Sequence, residues 1–501
     1  MVRIEMDGRH RALLALLGVV SSCAVLTFSR LAYCANAEVT ATTAAQGYSL
    51  RSPWGDPVLS RRRFMQTVGL TVSAIEGDDA KETDPHYTVR IRLRFESDFG
   101  LRWGEYRAVS SPSSYVPGLS QSPVDLMYGY LDARNLANGL LSFRLGRQYV
   151  IDSLGWWSFD GAWGRIDLPV HLAIEAYGGF EQRSGMLLST PRYERDGVWR
   201  GDRMSMEAKY YPEFLSASLA PAWGTNLETV DLPVLHARVG YRKVWNTGSA
   251  VTSSLDGSST ALPQTIDSTR VSSERFGASA DLELKDTASL RGGAVYDIYS
   301  SLFSSVYGSF DVFPSKTVTL GLDADRIVPV FDGDSIWNWF VRDPMSTGLA
   351  RADVTWLGKI DSSASFGLRS VDVGAESSNT TSGIGRKTDY LGRLHSRYRF
   401  DKGQCGISLA GDKGDRGRRL GGDLHAGRWV DENFQVSGRV SLYDWRDDLR
   451  TERSATSFGY VLGGAFRSGP ASTVMLEWEH DTNRLVGQRY RVLAMLQVVL
   501  K

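Results

Sequence analysis

The chain has 501 residues, with 57 lysines plus arginines against 57 aspartates plus glutamates, so it is formally neutral. That balance excludes a chain-wide basic or acidic surface, and with it a general nucleic-acid partner. The 51 glycines, 14 tryptophans and 21 tyrosines suit a β-rich chain, and no internal apolar run reaches the length of about 18 residues that a spanning helix needs.

Residues 1–37 read as an export signal. Arg3, Arg9 and Arg11 precede the apolar stretch "ALLALLGVVSSCAVLTF", and "ANA" at Ala35–Ala37 predicts cleavage after Ala37. An uncleaved N-terminal anchor is the rival reading. Cys23 and Cys34 leave with the signal, so Cys405 remains alone and no intrachain disulfide is expected. Residues 38–61 are expected as a short periplasmic segment, too short for a large plug domain.

From residue 62 to 501, alternation of period two recurs almost everywhere and helical periodicity almost nowhere. In residues 62–76, Phe64, Val68, Leu70 and Val72 alternate with Thr67, Gly69, Thr71 and Ser73. In "HYTVRIRLRFESDF", Val89, Ile91, Leu93 and Phe95 interleave one-for-one with Arg90, Arg92 and Arg94. One strand face is greasy and the other cationic. In a bilayer every backbone polar group must pair internally, which helices and closed barrels alone achieve. The apolar set would then face lipid and the arginines a wet lumen. Reversal would put arginine into lipid at about 2–4 kcal/mol each near the midplane, which pins the register.

Further along, Leu141, Phe143 and Leu145 share a face. Leu235, Ala237, Val239 and Tyr241 oppose His236, Arg238 and Arg242. Arg393, Arg397 and Arg399 form a second basic strip. Phe434, Val436, Val440 and Leu442 oppose Gln435, Ser437, Arg439 and Ser441. Near the C-terminus, Glu477 and Glu479 alternate with Val474, Leu476 and Trp478, and Arg489 and Arg491 with Tyr490 and Val492. If the chain closes near its ends, this last pair of strands lies close to Arg90–Arg94 and forms a charged ladder at the seam. Asp281, Glu283 and Asp323 offset part of the positive charge.

These segments run about 10–14 residues, whereas strands in soluble proteins run about five or six. A strand tilted by about 45° crosses a bilayer in roughly 9–11. Short and long connections also alternate: "SGPA" short, "RDDLRTERSA" long, "VDEN" short, "GDKGDRGRR" long, "KGQ" short, "GAESSNTTSGIGR" long. That is the rhythm of periplasmic turns and external loops. The expected fold is therefore all-β, a transmembrane antiparallel β-barrel of the outer membrane. It has an even number of strands from 16 to 20, with 18 the expected value, in contact with outer-membrane lipid and lipopolysaccharide. Trp103, Trp156, Trp157, Trp163, Trp245, Trp356, Trp429 and Trp445 fall near strand ends, as interfacial girdles require. The loop Val328–Thr347 carries "SIWNWF", too apolar to hang in water. It is expected to fold inward and narrow the pore, with Trp337 and Trp339 on the wall and Asp332 and Asp334 lining the passage.

Catalytic signals are weak. His395 and Ser396 are adjacent, and neighbours on a strand point to opposite faces. The seven histidines show no ligand spacing, so no metal or cofactor is expected.

One stretch resembles a family. "LSFRLGRQYVIDSLGWWSFDGAWGRI" is similar to the strand–loop–strand of alginate-export-type outer-membrane porins: Gly146-Arg147-Gln148 match its "GRQ" and Phe159-Asp160-Gly161 its "FDG". That resemblance implies an arginine-rich lumen passing acidic polysaccharide. The family's last strand usually ends in an aromatic residue, whereas this chain ends Leu500-Lys501. The leading functional reading is a passive, porin-like channel for small anionic or sugar-like solutes. A polysaccharide-secretion porin working with separate periplasmic export partners is the second, and a barrel-embedded enzyme the third.

Overall fold

The structure is a computed structural model that describes residues 36–77, 81, 84–98, 124–182, 214–216, 220–252, 264–330, 343–373, 385–415, 417–448 and 451–501. Its strands are β1 (Asn36–Arg51), β2 (Pro57–Ser73), β3 (His86–Asp98), β4 (Val124–Leu136), β5 (Leu141–Asp152), β6 (Gly155–Leu168), β7 (Leu172–Glu181), β8 (Phe214–Ser216), β9 (Pro221–Thr229), β10 (Leu235–Thr252), β11 (Gln264–Leu284) and β12 (Ala288–Asp297). They continue as β13 (Leu302–Ser315), β14 (Val318–Ile327), β15 (Met345–Trp356), β16 (Ile360–Val373), β17 (Gly385–Phe400), β18 (Gly403–Gly414), β19 (Gly417–Trp429), β20 (Phe434–Asp447), β21 (Ala455–Gly469), β22 (Ser472–Asn483) and β23 (Gly487–Leu500).

Each strand pairs antiparallel with its neighbour in sequence, and β1 pairs with β23 as well as β2, so the sheet closes on itself. β8 and β9 both pair with β10, end to end, and share one position. The wall is a closed antiparallel barrel of 22 strands, which leaves no ordinary sheet edge to protect.

The strand number exceeds the 16–20 expected, and two stretches differ from their expected state. β1 lies within the stretch expected as signal and periplasmic segment. Its outer positions Ala41, Thr43, Ala45 and Gly47 are small and weakly apolar, so hydrophobic alternation does not mark it. Its partners on both sides make it a strand, so residues 38–51, expected as a periplasmic segment, are part of the wall. "GDKGDRGRR" was expected as a long loop; most of it is strand, with β18 ending at Gly414 and β19 starting at Gly417.

Both ends of the described barrel and most two- to five-residue turns lie on one side: 137–140, 169–171, 230–234, 285–287, 357–359, 401–402, 430–433 and 470–471. The longer connections 99–123, 182–220, 253–263, 328–344 and 374–384 lie on the other. Short turns face the periplasm and long loops the exterior, which orients the barrel in the outer membrane. The alternating register puts Leu322, Phe366, Leu420, Leu424, Leu442, Leu462 and Leu476 on the outer face, each more than half exposed. Large apolar side chains so exposed would be an aggregation hazard in water; here they are the lipid-contacting belt. The protein is an outer-membrane β-barrel.

Candidate functional site

The inner wall holds most of the polar side chains, and its shape is set first by a hinge in β5–β7. Gly146, Gly161 and Gly179 lie directly across from one another on the three strands. Gly146 has φ +128°, a region in which side-chain-bearing residues are strained. A Cβ on Gly161 would strike the carbonyl oxygen of Gly178. Glycine at such positions lets strands bend sharply. Arg147 and Asp160 hold the bend with a bidentate pair at 2.6 and 2.7 Å. The buried Gln148 amide donates to the Gly161 carbonyl at 2.9 Å and the Arg144 carbonyl at 3.3 Å. The "GRQ" and "FDG" residues are therefore hinge parts. They report a bend in the wall and say nothing of cargo.

Beyond the hinge the β5–β6 hairpin leans across the inner faces of β7 and β9 and lands on β10 and β11. Arg238 donates to the Ile151 carbonyl at 3.1 Å, and Arg242 to the Leu154 carbonyl at 3.2 Å. The tip sits over Gly240 and Gly277, themselves paired across β10–β11. A Cβ on Gly277 would lie 2.7 Å from Leu154 Cδ2, and one on Gly240 2.9 Å from Ser153 Oγ. Under the hairpin lies a small apolar core of Val150, Trp157, Phe159, Tyr177, Ala222 and Val244. Trp157 stacks on Phe159 at 4.6 Å. Beside it, Arg165 and Arg238 are each paired with both Glu175 and Glu228. Asn226 donates to Glu175 at 3.1 Å, and Tyr177 to Asp152 at 2.7 Å. Both glutamates are buried. Their paired arginines offset a desolvation cost that a lone carboxylate could not meet.

Trp157 and Trp163 were expected in an interfacial girdle. The structure turns both inward instead, Trp157 into this core and Trp163 beneath the Arg144 guanidinium at 5.2 Å. Trp156 lies beside Tyr149, which in turn touches Tyr128 of the inner face, so the leaning hairpin carries it inside as well; the exposed Trp356 is on the outer face near a strand end. Trp103 lies outside the described residues.

The sequence-predicted site residues fall as follows. Arg90, Arg92 and Arg94 share the inner face of β3. Arg92 donates to Thr67 Oγ1 at 3.0 Å, and Arg94 pairs with Asp125 at 3.0 Å. Arg489 and Arg491 face inward on β23, both paired with Glu479, and Arg489 also with Asp481 through Nε at 2.8 Å. Glu477 lies across from Leu493 on the same face and has no ion pair among the described residues. The single seam ladder does not form as drawn, because β1 and β2 stand between β23 and β3. On β17, Arg397 and Arg399 share Asp361 at 2.8 and 3.0 Å. Arg393 is exposed on the same face, without an ion pair among the described residues. Asp332, Asp334, Trp337 and Trp339 lie outside the described residues.

Several inner-wall groups escaped sequence reasoning. Arg351 is ringed by Asp311 at 2.6 Å, Asp323 at 3.5 Å and Asp353. Arg369 lies between Asp389 and Asp412 at 3.3 and 3.4 Å. Each set joins three strands, and no spacing along the chain announces them. A recess of about 330 Å³ opens beside Arg439, Tyr443, Asp481 and Arg489. His395 Nδ1 is 3.0 Å from Ser408 Oγ on the next strand. No carboxylate bonds the other ring nitrogen among the described residues, so this pair lacks the orienting group of a hydrolytic triad.

No family model matches the chain, and no curated protein matches it. Solved structures that resemble it include Acinetobacter baumannii OccAB4 (9% identity, covering 93% of this chain and 99% of that one, TM-score 0.41). Others are a BenF-like porin from Pseudomonas fluorescens Pf-5 (9%, 93% and 99%, 0.40) and the copper transporter OprC (10%, 93% and 80%, 0.47). The likeness is to porin-type barrels in general and not to alginate-export porins in particular. At these identities it is one of barrel shape and transfers no cargo.

Proposed function

We propose that this barrel is a passive channel through the outer membrane with a modest preference for anionic or sugar-like solutes, delivered by a signal cleaved after Ala37. The observation that carries the reading is the exposure of charge on the inner face. Arg291 and Arg439, inward by register, have 61% and 59% of their side-chain surface accessible. A lumen filled by its own side chains would bury them. The anionic preference rests on β17, where Arg393, Arg397 and Arg399 face one carboxylate, Asp361. Such charge sets ion preference by raising the local concentration of counter-charged solutes. The three cations share one face of β17, Arg397 four residues from Arg393 and two from Arg399, an array that also suits a polyanionic chain sliding past; a polysaccharide-secreting pore is thus the second reading.

Reconstitution in planar bilayers tests the proposal. The expected result is open conductance with a weak anion preference that fades between 0.1 M and 1 M salt, as the Debye length falls from about 10 to about 3 Å. Changing Arg393, Arg397 and Arg399 together to Gln should move the reversal potential toward cations. A closed barrel, or a wild-type pore cation-selective at low salt, would overturn it. Loss of surface polysaccharide in a deletion strain selects the second reading over the first.

A further inference from the structure

The outer face carries a feature that conduction does not use. Near the exterior end of the wall, Lys413, Arg418 and Arg446 stand directly opposite one another on β18, β19 and β20. All three are exposed and share the outer face with Leu420. Neighbouring strands are about 4.8 Å apart, and like charges directly opposite each other destabilise a sheet. Three in a row need an answering anion. Among the described residues the ion pair within this row is to Asp444, whose Oδ2 accepts from Arg418 at 3.1 Å while its Oδ1 accepts from the Thr456 hydroxyl at 2.9 Å. Lys413 and Arg446 have no ion pair among the described residues.

Further along the wall, nearer the exterior ends of β14 and β17, the outer face carries two more cations. Arg326 and Arg386, also on the outer face, share Asp372 at 3.5 and 3.4 Å. Among the described residues of this arc, five outer-face cations are answered by the ion-paired Asp372 and Asp444 and by Asp415 at the end of β18, which leaves the cations in excess. Tyr390 continues the row beside Lys413, and toward the midplane the apolar shelf runs on through Leu420 to Leu409 and Leu442, both across from Gly422, all exposed. The β18–β19 connection is only two residues, so that hairpin raises no loop above the row.

Cations over an apolar shelf, facing out of the barrel at its exterior rim, meet the headgroups of the outer leaflet. The ligand they fit has closely spaced negative charges above several acyl chains. We propose that Lys413, Arg418 and Arg446 bind the phosphates of a bisphosphorylated glycolipid, the lipid A portion of lipopolysaccharide, with its chains on the Tyr390–Leu442 shelf. Arg326 and Arg386 extend the site. Charge-assisted bonds to phosphate would relieve the repulsion within the row.

The test uses the full-length barrel in neutral detergent, with purified lipid A titrated in and bound lipid counted by native mass spectrometry. The Lys413→Gln/Arg446→Gln variant removes the two unpaired cations and keeps the Arg418–Asp444 pair. Its apparent affinity for bisphosphorylated lipid A should fall at least tenfold, and wild type should lose as much when both phosphates are removed from the lipid. A charge-matched Lys359→Gln/Lys402→Gln variant at periplasmic turns should bind as wild type. Heat-modifiable migration checks folding; should the double variant misfold, Arg446→Gln alone should show an intermediate loss. Equal binding of variant and wild type overturns the proposal. So does equal binding of dephosphorylated lipid A, which would mean acyl contact alone, and so does displacement of lipid A by millimolar inorganic pyrophosphate, which would mean a free-anion site.

Discussion

Replacing Gly277 by Val should free the β5–β6 tip from the wall and widen the pore. Valine suits a strand, so β11 itself gains nothing unfavourable. The tip is what suffers: the new Cβ would lie 2.7 Å from Leu154 Cδ2, 3.1 Å from Ser153 Oγ and 3.3 Å from the Ser153 carbonyl oxygen. Leu154 can turn aside, but the Ser153 backbone cannot, and the two Cγ atoms of valine need more space again. Lifting the tip exposes Leu154, now only 9% exposed, at a cost of about 1.5–3 kcal/mol. It also breaks the Arg238 and Arg242 bonds to the Ile151 and Leu154 carbonyls, of which water restores most. The docked state should lose about 2–4 kcal/mol in all. Single-channel recording should show a higher, noisier conductance, and hydrogen exchange should show faster labelling of residues 151–156. A folded Gly277→Val barrel with unchanged conductance and unchanged exchange at the tip would refute the docking argument.

Gly146→Ala should destabilise the barrel by about 1–3 kcal/mol, because φ +128° is closed to alanine without strain and its Cβ would meet the Gly129 carbonyl; the temperature at which the folded band is lost on a gel should fall. Glu479→Gln should lower the same temperature, since the buried Glu479 answers both Arg489 and Arg491; an unchanged transition would show that Asp481 suffices. At the periplasmic β2–β3 turn, burial works against the Glu76 carboxylate, but the 2.6 Å contact with His86 Nδ1 and the Tyr87 N–H bond outweigh it and hold its pKa below the ordinary value of 4.5. A carboxyl lowered in the folded state stabilises above the unfolded pKa and loses that contribution as pH falls through the native one, so amide protection at residues 76–87 should weaken on acidification below about pH 4.5 and be indifferent to pH in Glu76→Gln.

Alternation was readable wherever one face meets lipid and the other water. β3 and β22 are the clear cases: Val89, Ile91 and Leu93 opposite Arg90, Arg92 and Arg94, and Leu476 and Trp478 opposite Glu477 and Glu479. β1 was not readable, because Ala41, Thr43 and Ala45 contrast little with Thr40, Thr42 and Ala44, and only the two neighbouring strands define it. The inner wall was legible as residue types and opaque as partnerships. Arg489 and Glu479 belong to adjacent hairpin strands and were foreseeable; Arg165 and Glu228 are 63 positions apart, and only the barrel order joins them. Gly146 and Gly161 were visible as family-like letters, but their work depends on Gly178 and Gly179 of a third strand. Trp157 misled for the same reason. Its place near a strand end suits a girdle until the hairpin bends and carries it inside.

The hinge explains how so wide a wall can still present a defined passage. Barrel diameter grows with strand number, and side chains alone fill a barrel of about eight strands, not one of 22. Something must reach inward if charge on the wall is to act within a Debye length of the solute. Among the described residues no separate body occupies the interior. Instead the wall supplies its own obstruction by folding the ends of two consecutive strands across four neighbours. That choice has a cost in sequence: a glycine row at the bend, a second glycine pair where the tip lands, and buried Arg–Glu pairs where polar wall is covered. It also concentrates the filled part of the lumen on the β5–β11 side, leaving Arg291, Arg393 and Arg439 on β12, β17 and β20 solvated. Solute should therefore pass along the β12–β23 side, and charge changes there should alter selectivity more than equal changes at Arg165 or Arg238, whose removal should be felt as lost stability.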